Sequence, residues 1–372
     1  MPTIDTLWLT LGIVSVTILF WFFFFQNSSS EDLSLSFYKG ITSLLSKDYE
    51  GAIFHFNQIK SNDIGFIESR FLLSNIYKIG GRFTDSIDVL NSLLDEHITV
   101  ESENYIDLQY EKASIYFHAG IYDRSLILLK EIIAINPIHR PSLIKLNRLY
   151  EVSSEWDKAM EVTRLHEISD GEKGLQLINY QCSIIDQMIE ASNIPQSLEL
   201  LKAAQRSILS FRFRITELKI FLKNNETLKC LSIIEEVLTK DITYLYLILE
   251  QLQKESSLKN IEFLDPIKNI ANASRESKLF TIKTLIIFSK NMPKEDRQEL
   301  FLNLIDFESN LQHQLIAHYL DNQYAENTLS NQAFICKSCN TKSTNHHWQC
   351  LTCYSWEEIT FKPEVEIDTL FI

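Results

Sequence analysis

The chain has 372 residues, a formal net charge of −14, and only nine Gly and seven Pro. That length exceeds one ordinary domain, and so few backbone breaks favour helices, with an array of short ones as the simplest arrangement. The acidic balance keeps a protein in solution but argues against binding to the phosphate backbone of nucleic acid.

After a short tail at residues 1–6, residues 7–25 carry no charge, and thirteen of the nineteen are Leu, Ile, Val or Phe. As a helix this run would be about 28 Å long, close to the hydrocarbon thickness of a bilayer. Trp8 and Trp21 stand where the interfaces would fall. A cleaved signal peptide is the alternative. It fits less well, because no Lys or Arg precedes the run and the run is long for a signal core. A retained transmembrane helix is therefore expected, followed by a linker at 26–34. No Lys or Arg follows the span until Lys39, so charge says little about orientation. The six cysteines say more. Cys182 and Cys230 fall in helical text as small core residues, which suits a reducing compartment and places the carboxyl-terminal bulk in the cytoplasm.

Residues 35–240 carry a repeat. Its unit is a small or polar residue, an aromatic three later, a small residue twelve after the first, and a large apolar one four after that. Gly40, Ser43, Ala52 and Phe56 begin the series, and Ser74, Tyr77, Ser86 and Leu90 follow. Ala113, Tyr116, Ser125 and Leu129 form the third set, and Asn147, Tyr150, Ala159 and Thr163 the fourth. Ile185, Met188, Ser197 and Leu201, then Leu218, Phe221, Cys230 and Ile234, are looser copies. The steps are 34, 39, 34, 38 and 33 residues, the longer ones coinciding with polar stretches at 95–102 and 169–174. Small residues let two antiparallel helices cross closely, and turn signals at Lys47 and Asp48, Gly80 and Gly81, Ala119 and Gly120, and Ser153 and Ser154 separate them. The pattern resembles the tetratricopeptide repeat. Beyond Asp241 the phase is lost. Apolar or amphipathic runs at 244–252, 279–289 and 297–319 read as further degenerate helical repeats within 241–328.

Residues 332–362 hold the strongest chemical signal, Cys336, Cys339, Cys350 and Cys353, in the spacing Cys-x2-Cys-x10-Cys-x2-Cys. Each pair presents two thiolates on one short loop, and two loops complete a tetrahedral S4 shell for one zinc or iron ion. Two disulfides in a secreted tail are the alternative. The segment is too small to build a sizeable core, so metal would supply its folding energy. His346 and His347 lie beside the cysteines and read as solvated loop residues, since four thiolates already fill such a shell. His313 and His318 are poorly phased for a two-ligand helix face. The linker at 319–334 is short, so the metal domain should lie against the last helices, with Phe334, Trp348 and Trp356 as contacts. An acidic tail follows at 363–372.

Nothing in this text has catalytic spacing: there is no phosphate loop, dinucleotide fingerprint or His-Glu-x-x-His, and a non-enzyme is expected. The whole arrangement resembles the lipopolysaccharide assembly protein B (LapB) family of Gram-negative bacteria. The likeness is sharpest at residues 120–125 (GIYDRS), 153–160 (SSEWDKAM) and 336–356, where Trp348 lies two before the third Cys and Trp356 three after the fourth. Rubredoxin knuckles usually carry Gly and Pro where this chain has Asn340 and Leu351. Asn is the non-glycine that best tolerates the left-handed conformation needed there.

The resemblance implies an all-α, tetratricopeptide-type helical solenoid with an amino-terminal transmembrane helix and a small rubredoxin-like metal domain. It implies a single-pass protein of the inner membrane that acts as an adaptor. Such an adaptor presents the lipid A deacetylase LpxC to the membrane protease FtsH, and so regulates lipopolysaccharide biosynthesis. Two other classes stand beside it. A rubredoxin-type site holding iron would suit an electron carrier docked by the repeats. A zinc ribbon for nucleic acid is disfavoured by the acidic balance and the absence of a basic stripe.

Overall fold

The structure, a computed structural model, describes residues 31–61, 63–96, 98–99, 104–165, 170–204, 210–306 and 333–363. The transmembrane helix expected at 7–25, the two histidines His313 and His318, and the acidic tail from 364 onward lie outside the described residues. Among the described residues no helix is long and apolar enough to cross a membrane.

The chain divides into two compact units, one up to Ser154 and one from Glu155. The first is built from α1 (Glu31–Leu45), α2 (Tyr49–Asn57), α3 (Phe66–Ile79), α4 (Phe83–Glu96), α5 (Tyr105–His118), α6 (Tyr122–Ile135) and α7 (Arg140–Val152). α1 pairs with α2, α3 with α4 and α5 with α6 as antiparallel hairpins. Each crossing is close because the facing residues are small. A Cβ added to Gly40 would stand 2.5 Å from the Phe56 ring. The hydroxyls of Ser74 and Ser86 are 2.8 Å apart, and Ser125 Oγ donates to the Ala113 carbonyl at 2.8 Å. These hydroxyls are fully buried, and the inter-helix hydrogen bonds remove the cost of that burial.

The turn inside each hairpin follows from the same phase. Lys47, Gly81 and Gly120 take left-handed backbone conformations. The next amide then bonds back to the carbonyl five residues earlier: Asp48 to Ser43 at 2.9 Å, Arg82 to Tyr77 at 2.8 Å, and Ile121 to Tyr116 at 2.9 Å. This closes off carbonyls that the helix end would otherwise leave unpaired. Gly81 and Gly120 adopt φ near +73° without strain, whereas Lys47 does so at some cost.

The second unit contains α8 (Trp156–Leu165), α9 (Asp170–Glu190), α10 (Ile194–Ala203), α11 (Phe211–Lys223), α12 (Thr227–Lys240), α13 (Leu245–Lys254), α14 (Ile261–Ala271), α15 (Arg275–Phe288) and α16 (Lys294–Leu304). α9 pairs with α10 and α11 with α12, with left-handed Ser192 and Asn225 at their turns. Along the chain, Lys47, Gly81, Gly120, Ser154, Ser192 and Asn225 recur 34, 39, 34, 38 and 33 residues apart. These are the steps of the sequence repeat. The small residues of its second helix, Ala52, Ser86, Ser125, Ala159, Ser197 and Cys230, are all fully buried.

The array continues past the point where the sequence phase disappears. Ser256 is again left-handed, between α13 and α14. Two changes hide it. A one-turn helix at Ser257–Lys259 lengthens the connection, and large residues such as Leu249, Leu252, Leu264 and Ile267 fill the buried positions. Large side chains hold helices apart, so the closest neighbours change: α12 packs on α14, α13 on α15, and α14 on α16. One apolar core runs without interruption from Ile178 to Ile305.

The chain is not wholly α. Residues 333–363 include a three-stranded antiparallel sheet of β1 (Phe334–Cys336), β2 (Lys342–Ser343) and β3 (Ile359–Phe361), in the order β2-β1-β3. Phe334 pairs with Ser343 on one side and with Phe361 on the other, while Cys336 faces Ile359. The sheet buries Phe334, Ile359 and Phe361 towards the helices and carries the first cysteine at the end of its central strand.

Candidate metal centre

Two turns of the same construction bring the four cysteines together. In the first, the Asn340 amide bonds the Cys336 carbonyl at 2.9 Å and the Cys336 amide bonds the Thr341 carbonyl at 3.0 Å. In the second, Tyr354 bonds Cys350 at 2.9 Å and Cys350 bonds Ser355 at 2.9 Å. Asn340 and Tyr354 both adopt left-handed conformations, with φ of 58° and 61°. Asn340 thus fills its expected role, and the exposed Leu351 occupies the position where rigidity from Pro is usual.

The four Sγ atoms all lie within 4.8 Å of one another. Cys336 is 3.7 Å from Cys353, and Cys339 is 3.6 Å from Cys350, across the two turns. A tetrahedral shell with Zn–S bonds of about 2.3 Å requires sulfur edges of about 3.8 Å, whereas a disulfide requires about 2.05 Å. The spacing fits a four-thiolate shell and not two disulfides. Cys336 and Cys350 are buried, Cys339 is half-buried and Cys353 is exposed.

Two hydroxyls complete the surroundings, each two residues after the second cysteine of its turn. Thr341 Oγ1 lies 3.1 Å from Cys339 Sγ and Ser355 Oγ lies 3.1 Å from Cys353 Sγ. The Ser355 hydrogen bond pulls the Cys353 thiol down to about 6, and the Thr341 bond lowers that of Cys339. Burial pushes Cys350 up to about 11. A bound cation would favour the thiolate at all four. Such outer partners orient ligands and set their basicity. Their shared offset in the two turns was a readable sequence signal that the reading of the cysteines alone missed.

His346 is half-buried, where a solvated loop residue was expected. Its ring meets Phe334 at 5.7 Å and Trp348 at 4.6 Å, both edge to face. Burial, with smaller contributions from His347 and Arg212, depresses its pKa to about 3, so the imidazole is neutral. It is not part of the four-sulfur cluster.

The same turns fasten the metal domain to the helices. Glu357, with a left-handed φ of 56°, places its carboxylate at the amino terminus of α11. Oε1 accepts from Ser210 Oγ at 2.5 Å and Asn179 Nδ2 at 3.0 Å, and Oε2 from the Phe211 amide at 2.9 Å. Ser210 is itself the N-cap of α11, accepting from the Phe213 amide at 3.1 Å. A carboxylate there satisfies free amides and meets the positive end of the helix dipole.

Next to it, the buried Arg212 guanidinium donates to Ser183 Oγ at 2.6 Å and Asn179 Oδ1 at 3.3 Å, and lies 3.6 Å from Asp186. It sits 5.8 Å from the Trp348 ring and 5.6 Å from the Trp356 ring, within cation–π range of both. Trp356 meets Tyr180 edge on, Trp348 stacks on Tyr244, and Phe334 and Phe361 close on Tyr246. Phe334, Trp348 and Trp356 therefore make the contacts the sequence suggested. Glu357, Arg212 and Ser210 were not singled out, because each is an ordinary polar residue until the fold brings it to the others.

No family model matches the chain. Among curated proteins, lipopolysaccharide assembly protein B of Escherichia coli strain K12 is 21% identical over 369 residues, covering 93% of this chain and 94% of that protein. The chain is similar to lipopolysaccharide assembly protein B along nearly its whole length. The protein of the same name from Escherichia coli O157:H7 gives the same figures. Among solved structures, a MamA protein aligns at a TM-score of 0.34 and 18% identity, covering 53% of this chain and 95% of that one. A tetratricopeptide repeat protein from Parabacteroides merdae aligns at 0.34 and 12%, covering 78% and 100%. The likeness to lipopolysaccharide assembly protein B covers 93% of this chain, in line with the resemblance drawn from the sequence.

Metal analysis of the purified full chain should find one zinc or iron per protein, and Cys336→Ser should lose it, because a closed four-thiolate shell does not survive with three. Four freely alkylated thiols in metal-replete protein would contradict this. Glu357→Ala should keep the metal but weaken docking by about 2–3 kcal/mol, since a charged acceptor is removed from buried donors. Limited proteolysis would then release the metal domain at rates several-fold above wild type. Unchanged release would mean that the aromatic contacts alone hold it.

Proposed function

We propose that this chain is a non-enzymatic adaptor of the inner membrane that presents the lipid A deacetylase LpxC to the membrane protease FtsH, and thereby limits lipopolysaccharide synthesis. The similarity to lipopolysaccharide assembly protein B carries this reading. In it, residues 7–25 form a single-pass anchor, the repeats and metal domain lie in the cytoplasm, and Cys336, Cys339, Cys350 and Cys353 hold one zinc or iron ion. The ion supplies no reaction step. It closes the two turns that carry Trp348, Trp356 and Glu357, so that the metal domain and helices offer one fixed surface. Tethering protease and client at one membrane patch raises their effective concentration without a catalytic residue.

One observation supports a second reading. Cys353 is exposed, and an exposed sulfur at the edge of an iron–thiolate site suits one-electron transfer to a docked partner. The docking by Arg212 and Glu357 favours the adaptor, because a carrier has less need of a metal domain built into its scaffold.

In cells depleted of this protein, the deacetylase half-life should lengthen several-fold and lipopolysaccharide should accumulate. A chain lacking residues 7–25 should remain folded and metal-loaded but fail to restore degradation. If the half-life is the same with and without the protein, the adaptor reading fails. Reversible metal redox cycling in cells would then support the electron carrier.

A further inference from the structure

The first helix of the array, α1, is covered on one face only. Phe37, Ile41 and Leu44 pack against the cluster of Ala52, Phe56 and Ile76, and Gly40 is buried beneath the Phe56 ring. The outer face carries Leu35, Tyr38 and Leu45, which are 51, 73 and 81% exposed. Their spacing of three and seven residues places them in one stripe along the helix, which Lys39 and Thr42 share. The exposed positions of α4 in the same unit are polar: Thr84, Asp88 and Ser92. The end of a helical array needs a polar outer face to stay in solution, so an apolar stripe on its first helix marks a face that something covers.

Two observations say what covers it. The first is reach. Residues 26–30 are all that separate the apolar run at 7–25 from the start of α1 at Glu31. Fully extended, that connection is at most about 20 Å long. With residues 7–25 across a bilayer, α1 starts beside the lipid surface. The second is charge. In a chain of net charge −14, Leu35, Tyr38, Lys39, Thr42 and Leu45 include a lysine and no acid. Glu31 and Asp32 belong to the first turn of α1, where they suit the positive end of the helix dipole. Asp48 is engaged as the cap of α2, accepting from the Gly51 amide at 3.0 Å. A face of this kind meets anionic lipid without repulsion, with the tyrosine ring at headgroup level and the lysine stem along the apolar boundary.

We propose that the outer face of α1 lies on the phospholipid surface, with Leu35, Tyr38 and Leu45 set into the boundary between headgroups and acyl chains. The proposal rests on residues 7–25 being an anchor. It makes the first helical hairpin a second membrane contact, which holds the array at a fixed attitude to the bilayer instead of leaving it on a swinging tether.

The test uses the full chain in nanodiscs of equal parts phosphatidylethanolamine and phosphatidylglycerol. The photoreactive residue p-benzoylphenylalanine replaces Tyr38, Leu45, Ser15 or Lys130, one at a time, and mass spectrometry identifies what each position captures after irradiation. Lys130 is exposed on α6 and serves as the solvated control. Tyr38 and Leu45 should give phospholipid adducts several-fold above Lys130. Both are exposed, so the replacements should leave the thermal midpoint unchanged, and if one fails to fold the other decides. Adducts at Tyr38 and Leu45 no more frequent than at Lys130 would overturn the proposal. Capture of a second copy of the chain in place of lipid would also overturn it, because the stripe would then be a contact between copies. The Ser15 position reports the anchor separately. Lipid capture at Ser15 but not at Tyr38 or Leu45 sinks this proposal alone. Lipid capture at Tyr38 and Leu45 without any at Ser15 sinks the anchor reading and leaves the surface contact standing.

Discussion

The second unit depends on one carboxylate. Glu357 belongs to the metal domain, yet its oxygens complete the amino terminus of α11, where Ser210 and the Phe211 amide point at it. A helix start without such a partner leaves donors unsatisfied, and burial makes that costly. The contact also sets the angle at which the two parts meet, because hydrogen bonds from a helix end accept a carboxylate over a narrow range of directions. Beside it, Arg212 could not stay charged and buried without Asn179, Ser183, Asp186 and the two indole faces. The polar anchor and the aromatic ring of contacts around it therefore support each other.

The chain of dependence runs back to the cysteines. Glu357 lies four residues after Cys353, and its amide bonds the Trp348 carbonyl at 2.8 Å. Trp348, Trp356 and Glu357 are thus held by the second cysteine turn and by its pairing with the first. Residues 333–363 bury few apolar side chains of their own. Closing four thiolates on an ion would fix both turns, and through them the face that docks. The cysteine cluster and the helix cap, which look like separate features, thus belong to one surface.

Much of the helical architecture was legible in the sequence, for a physical reason. Close crossing of antiparallel helices tolerates only small residues, so Ala52, Ser86, Ser125, Ser197 and Cys230 mark the crossings in the sequence as they do in the structure. The turn residues follow at the same steps because the left-handed conformation must end each first helix. Legibility fails where the constraint relaxes. From Leu245 onward large residues take the buried positions, each helix packs on the next but one, and the array continues without its signature. The cysteine cluster was legible because spacing alone determines that two such turns can face one another. The Glu357 anchor was not, since it joins residues 147 positions or more apart in the case of Ser210 and 178 in that of Asn179. The half-buried His346 was illegible for a similar reason: a polar loop residue is drawn out of water only once Phe334 and Trp348 are placed around it.

The central claim is that a metal-closed turn locks the helical body through Glu357, and amide hydrogen exchange at Phe211 and Phe213 tests it most directly. Those amides bond the Glu357 carboxylate and the Ser210 hydroxyl, so they report the anchor and not the core. In metal-loaded protein they should exchange slowly, like the interior of α11. After removal of the metal by a chelator they should exchange at least about tenfold faster while amides of α5 in the first unit stay protected. Equal protection at Phe211 and Phe213 with and without metal would show that the cysteine site and the helical body are independent, and would contradict the account.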